Sequence, residues 1–382
     1  MMSKTSKREY LRELKKKYRR AGKKRKTQLL NDFCEFAGYH RKSALRLINN
    51  PLPSRWKRPR PRKKKYSLET IEALKVLWRA LDEICAERLH PFIPTLLKCL
   101  IDQGEIKVSA ETKQQLLAIS LGKVKAILTS TKRRSFVKIG GLTRPGSLLK
   151  NQIALRYGPW EQKEPGYFEA DTVAHCGGDI SGEFVYSLNT IDIASGWSEQ
   201  AAIWGKGEMA TKEQMDKIRK RLPFVMKGLD PDNGGEFINW QLHRYCKKHN
   251  ISLTRAREYH PNDSAHVEQK NYTAIRKLIG YGRLDKKVQQ KLFNDLYENE
   301  WRLFLNFFQP TMKLKKKIKN LETGKSKKIY YKAKTPYQRL MRSKYISQER
   351  KLMLKSTYET LNPIKLKREI DRKIELIRRA LK

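Results

Sequence analysis

Three acidic residues have the types and spacing to grip divalent cations: Asp171, Asp232 and Glu268. Asp232 stands just past the apolar run Phe224, Val225, Met226, at the mouth of an Asp-Asn-Gly-Gly turn. Glycine lets the backbone bend sharply there and leaves a carboxylate standing clear. Glu268 follows with 35 residues between, about one turn into a helix expected from near Ser264. Asp171 lies in the strand-like segment Tyr167–Val173, among β-formers where acids are normally depleted. Two divalent ions side by side need several hard oxygen ligands to offset their repulsion. Three converging carboxylates would hold Mg²⁺ or Mn²⁺ on either side of a phosphodiester, and the chemistry would be in-line displacement at phosphorus.

Other groups compete for these roles. Glu169 shares a strand face with Asp171, so alternation alone does not choose between them. Asp192 reads as a surface turn acid at the end of a strand, and Glu236 as a structural carboxylate at a helix N-terminus. His243, Cys246 and His249 fall three residues apart, which spreads the outer pair around a helix. A core cysteine with exposed histidines is the reading taken, not a zinc site.

The elements that must position the acids follow from periodicity. A core beginning near Ile153 has strands at Tyr167–Val173, Phe184–Ile191 and Trp197–Ile203, then a helix at Glu208–Arg221 and a buried strand at Phe224–Gly228. A helix after Asp232, a strand at Ile251–Arg255 and the Glu268 helix complete it. Periodicity by itself gives α/β or α+β.

The acids and their 35-residue gap resemble the D,D(35)E catalytic core shared by retroviral integrases and many insertion-sequence transposases. The segments GYFEADTVAH, YSLNTIDIASGWSE, DNGGEF and NDSAHVEQKN look like the integrase-core signatures in order, over about residues 145 to 285. The resemblance implies an α/β core, an RNase H-like mixed five-stranded sheet with flanking helices. It selects Asp171 over Glu169 and implies two Mg²⁺ or Mn²⁺ ions on Asp171, Asp232 and Glu268. It also implies water-driven cleavage that frees a 3′-OH, attack of that hydroxyl on target DNA, and a homo-oligomer, a dimer or larger. Two departures stand out. The paired His and paired Cys of the retroviral zinc module are absent, and the basic residue many relatives carry seven positions past the glutamate is Ile275 here, with Arg276 one later. Lys270, Arg276 and Lys277 would turn positive charge toward DNA, while His266 and Asn271 flank the glutamate.

Composition agrees with a nucleic-acid partner. In 382 residues, 84 Lys and Arg oppose 39 acids, a formal charge of +45. Such a chain repels itself unless a polyanion binds. No apolar run is long enough to span a membrane and no signal-peptide pattern opens the chain, so a cytoplasmic protein without a membrane partner is expected. Five scattered cysteines fit reduced thiols.

Residues 1–50 read as an N-terminal all-α region, a basic arm and a first helix-turn-helix, with His40, Arg41, Lys42 and Arg46 on the helix that would enter the major groove. Residues 51–66 form a basic Pro-rich linker whose Arg58, Arg60 and Arg62 would track phosphates. A second helix-turn-helix-like unit at 67–131, with its turn at Leu121-Gly122-Lys123, and a basic linker at 132–152 lead to the core at 153–285. A basic helical C-terminal tail occupies 286–382. The expected function is a DNA transposase acting on double-stranded DNA, both the terminal inverted repeats of its element and the target. The alternatives are an inert DNA-binding regulator on the same scaffold and an RNase H-type nuclease that only hydrolyses.

Overall fold

Ser3 accepts the Ser6 N–H at 3.1 Å and so starts the first helix, α1 (Lys4–Arg20). Together with α2 (Lys23–Ala37) and α3 (Arg41–Asn49) it packs around Leu11, Leu14, Leu30, Phe33, Ala44 and Ile48. Gly38, at φ +67°, supplies the left-handed stop between α2 and α3. These helices belong to one unit, residues 1–65; residues 66–382 form a second. The structure is a computed structural model that describes residues 3–50, 65–131, 154–155, 163–232, 234–255, 265–319, 324 and 326–380.

The second unit opens with five helices: α4 (Leu68–Ala80), α5 (Ala86–Leu89), α6 (Ile93–Asp102), α7 (Ala110–Ala118) and α8 (Leu121–Thr131). The turn between α7 and α8 falls at Ile119-Ser120, two residues earlier than expected. Ser120 accepts the Lys123 and Val124 N–H groups, which draws Gly122 into the helix.

A six-stranded mixed sheet follows, in the order β1-β6-β5-β2-β3-β4. Strands β2 (Tyr167–Ala174), β3 (Val185–Asp192) and β4 (Ser198–Trp204) make an antiparallel meander. Strands β5 (Gly228–Pro231) and β6 (Ser252–Arg255) lie parallel to β2, and a two-residue β1 (Ala154–Leu155) extends the edge. With α9 (Glu208–Arg221) and α10 (Trp240–Lys248) as crossovers, this is the RNase H-like arrangement expected. β5 starts four residues later than predicted. Phe224 stacks on Phe168 at 6.0 Å and Met226 is buried while Val225 is exposed, so the run is a loop that sets two of its three residues against the core.

After β6 come α11 (Ala265–Lys270), a π-helical turn at Asn271–Arg276, and α12 (Lys277–Ile279). The remaining chain is mostly helical: α13 (Lys287–Leu296), continued by π-helical turns at Tyr297–Trp301 and Phe304–Phe308, then α14 (Pro336–Arg342), α15 (Gln348–Thr360) and α16 (Pro363–Arg379). A hairpin of β7 (Leu314–Lys319) and β8 (Ser326–Tyr330) interrupts it, which the expectation of a wholly helical tail did not include.

The boundary expected at 285/286 has no counterpart in the packing. Trp301, Phe304, Phe307 and Phe308 join the same buried core as Phe168, Leu188 and Trp197. β4 is an edge strand, whose open N–H and C=O groups invite pairing with another chain. Here the following segment caps them. Asn294 accepts from the Ala202 N–H at 2.8 Å and donates to its carbonyl at 3.0 Å, and Asn306 does the same for Ser198 at 2.9 Å each way. The Glu199 carboxylate, fully buried between these points, takes bonds from Trp197, Arg221 and Arg302. No described helix is long and apolar enough to cross a membrane.

Candidate active site

Parallel pairing sets β2 against β5 with Glu169 opposite Asp230 and Ala170 opposite Pro231. The Asp232 N–H continues the ladder onto the Ala170 carbonyl at 3.1 Å, which brings Asp232 alongside Asp171 at the strand end. Residues two apart share a sheet face, so Glu169, Asp171, Asp230 and Asp232 all stand on one side.

Burial separates them. Glu169 and Asp230 are fully buried; Glu169 accepts the Val267 N–H at 3.0 Å and Asp230 accepts the Thr254 hydroxyl at 2.6 Å. Asp171 and Asp232 remain partly open to solvent. Glu169 is thus engaged in holding a helix in place, while Asp171 keeps access to solvent.

The helix so held is α11, which packs across β2 and β3. Val267 is buried against the sheet and Asn271, one turn on, donates to the Asp171 carboxylate at 2.5 Å. Glu268 lies between these two anchors, exposed on the solvent side. Its carboxyl is raised above the ordinary range by burial and by the nearby Asp171 charge.

Asn271 belongs to a directed chain. Its Oδ1 accepts from Asn189 at 2.8 Å, and Asn189 Oδ1 accepts from Gln200 at 3.0 Å. An ionised carboxylate only accepts, so Asp171 fixes the direction of every amide behind it.

A fourth carboxylate joins the group. Glu236, expected as a helix-terminal acid, precedes its helix, which starts only at Trp240 with Asn239 as cap. It turns to the cluster, accepts the Thr172 hydroxyl at 2.6 Å, and pairs with Lys206 at 3.0 Å. Gly234 makes room for it: a Cβ there would lie 2.6 Å from the Glu236 carboxylate. Lys206 was not singled out from sequence. Burial works against its charge, but Glu236, Tyr186 and Asp232 outweigh it and hold the ammonium above its ordinary value.

The electrostatics are those of carboxylates short of positive charge. Burial, then Asp171 and Glu236, push the Asp232 carboxyl up to about 8. Asp171 is raised as well, by burial first and Glu236 after, against the opposing pull of Asn271 and the Thr172 N–H. One lysine stands against these acids, and among the described residues no three of them lie close enough together to form a metal-binding group as placed. All-oxygen donors suit Mg²⁺ or Mn²⁺.

The residues expected to contact DNA fall out differently. Arg41, Lys42 and Arg46 are exposed on α3, with Arg41 also bonded to Asn31; Arg58, Arg60 and Arg62 lie outside the described residues. Lys270 is buried, because it shares the inward stripe of α11 with Val267 and Ala274, and burial pushes its ammonium down to about 7. Lys277 bonds to Asp82, and Arg276 donates to the Ala174 carbonyl at 2.8 Å and lies over the Tyr281 ring. The π turn before it takes up one extra residue, and so places Arg276 where an unbroken α-helix would present Ile275. Asp192 is wholly buried, not a surface acid: it accepts from Gly166 and Ser195 and ties the β3–β4 turn to the start of β2. Cys246 is buried, and His243 and His249 pack against Trp240 and Tyr245.

No family model matches the chain. It is 35% identical over 308 residues to "Uncharacterized protein y4rM" of Sinorhizobium fredii (strain NBRC 101917 / NGR234), a match that covers 79% of this chain and 86% of that protein. Among solved structures it is similar to the catalytic core domain of BIV integrase, at TM-score 0.31 and 15% identity over 45% of this chain and 91% of that one. It is also similar to the HTLV-2 integrase catalytic core domain in complex with magnesium (dimeric form), at TM-score 0.29 and 16% identity over 39% of this chain and 91% of that one.

Proposed function

The chain belongs to the family of the uncharacterized protein y4rM, whose name assigns no activity, so we propose from the site itself that it is a DNA transposase of the DDE polynucleotidyl-transferase type. Asp171, Asp232 and Glu268 are its catalytic acids. The observation that carries this reading is the pairing of Asp171 and Asp232 at one strand end beneath a helix pinned at Val267 and Asn271, with Glu268 between the pins.

Two Mg²⁺ or Mn²⁺ ions held by the three acids would supply an activated attacking oxygen and a counter-charge for the leaving 3′ oxygen. The protein's own groups do the rest. Asn271 aims the Asp171 carboxylate and opposes the rise that burial imposes on it. Glu236, tied to Thr172 and Lys206, fixes the turn that carries Asp232. The exposed Glu268 approaches the DNA side. Water would attack first to free a 3′-OH at the element's end, and that hydroxyl would attack the target strand without a covalent protein intermediate. Exposed α3 with Arg41, Lys42 and Arg46 would read double-stranded DNA at the terminal inverted repeats. Joining two ends calls for a homo-oligomer, a dimer or larger.

The test is strand transfer by the full chain on end-containing duplex with Mg²⁺ or Mn²⁺. The parent should join DNA, and Asp171→Asn, Asp232→Asn and Glu268→Gln should each lose at least about 10³-fold, the rate equivalent of several kcal/mol. Cleavage without joining would leave a hydrolytic nuclease. Equal joining by parent and Asp232→Asn would remove this site from the chemistry.

A further inference from the structure

The described residues of the β7–β8 hairpin stand in solvent. Leu314 to Ile318 and every residue of β8 are exposed, on both faces of the ribbon. A two-stranded hairpin standing alone in water is marginal, and this one shows large apolar groups to solvent, Leu314 at 50% and Tyr331 at 56%. Between them stand Lys315, Lys316, Lys317, Lys327 and Lys328, with no acid among the described residues of either strand. Lys317 sits directly opposite Lys328. Like charges so placed repel across the ladder, so the element is built against its own isolated stability and toward a polyanion.

Its base is held firmly. Lys313 donates to the Ile193 and Ala194 carbonyls, and Arg339 clamps Thr311 to the Ser195 carbonyl at 3.0 Å. The bridge Thr311–Lys334 closes the neck. The hairpin therefore springs from the β3–β4 turn. Along β3, Ile193 is four residues from Asn189, the partner of Asp171, a distance of about 13 Å or about four base-pair steps.

We propose that the β7–β8 ribbon is a DNA-contacting arm that enters the major groove of duplex DNA running past the Asp171–Asp232 site. A two-stranded ribbon is one of the two protein shapes that groove admits. The lysines meet the flanking phosphates, and Leu314, Ile318, Ile329, Tyr330 and Tyr331 lie against base edges. The choice of DNA among polyanions rests on the joining reaction proposed above.

The experiment uses the full chain and a random-sequence duplex, with binding followed by fluorescence anisotropy over a range of salt. A variant with Lys315, Lys316, Lys317, Lys327 and Lys328 changed to alanine should bind about 100-fold more weakly near physiological salt, with a log–log salt slope shallower by about one for each lysine that reaches a phosphate. It should also lose its preference for duplex over a single strand of equal length. Because the described residues of the ribbon are exposed, the variant's thermal unfolding should match the parent's. Parental affinity and slope in the five-lysine variant overturn the proposal, as does an equal loss on duplex and single strand. If the parent binds and joins DNA while the variant equals it, only the arm is wrong; if the parent binds no DNA, the function proposed above fails first.

Discussion

Asn271 donates to the Asp171 carboxylate at 2.5 Å while its carbonyl oxygen accepts from Asn189 at 2.8 Å. The amide is held from behind by a group that itself cannot turn, so Asp171 meets a donor of fixed direction. Removing a partner that orients a metal-binding carboxylate costs 10- to 100-fold in affinity or activity, on the order seen at other metal centres. Asn271→Ala should therefore lower both Mg²⁺ affinity and joining by about that factor. Isothermal titration and single-turnover kinetics would measure it; unchanged metal affinity would reduce the bond to a structural one.

Gly234 is required for space, not for an unusual backbone angle. A methyl group at that position meets the Glu236 carboxylate at 2.6 to 2.9 Å. Gly234→Ala should push Glu236 off Thr172 and Lys206, destabilise the fold by about 1–3 kcal/mol as overpacking does, and slow joining. Urea denaturation reports the first and turnover the second. Parental values in both would show that the turn relaxes freely.

His175 predicts a pH dependence of stability. It is buried beside Phe293, with Nε2 bonded to Ser187 at 2.7 Å, and burial, then Arg276, holds its pKa down at about 3 against 6.5 unfolded. The folded imidazole stays neutral where the unfolded one charges. Its contribution is full above pH 6.5 and is lost as pH falls from there toward 3, at up to about 1.4 kcal/mol per pH unit. Denaturant midpoints from pH 7 to 4 should fall less steeply for His175→Gln than for the parent. Parallel curves would discard the assignment.

Glu199 neutralises Arg221 and Arg302 inside the core, at 2.7 and 3.1 Å. Its removal takes the buried carboxylate from two guanidinium groups and leaves Arg221 only the longer pair with Glu298 at 3.6 Å, and breaking a buried pair in this way costs about 3–5 kcal/mol. Glu199→Ala should show that loss in urea midpoints. A change under about 1 kcal/mol, the range of a surface pair, would mean water reaches the cluster.

Part of the candidate site was legible because the chemistry expected of it restricts residue type and spacing together. Asp232 could be placed from its glycine turn, and Glu268 from the gap that follows. Strand alternation brought Asp171 and Glu169 to one face, and only burial told them apart. Lys206 left no trace, since one lysine between two glycines carries no periodicity and its role depends on Glu236 folding back from another segment. Glu236 was misread for the same reason: an acid just after a turn usually serves a helix terminus. Asp192 resembled a surface acid because the three donors that satisfy it come from Gly166 and Ser195, supplied only by the folded turn. The β7–β8 hairpin was hidden by its lysines, which blur the apolar alternation that marks a strand.

The asparagines at 294 and 306 seal the outer strand of the sheet, and Arg302 between them reaches Glu199. A fragment ending near residue 285 would lose all three at once. It would expose a raw strand edge able to recruit a neighbouring molecule, beside a carboxylate stripped of half its counter-charge. Such a cassette should precipitate or form fibrils on expression, so shuffling this sheet between relatives requires carrying the long helix with it.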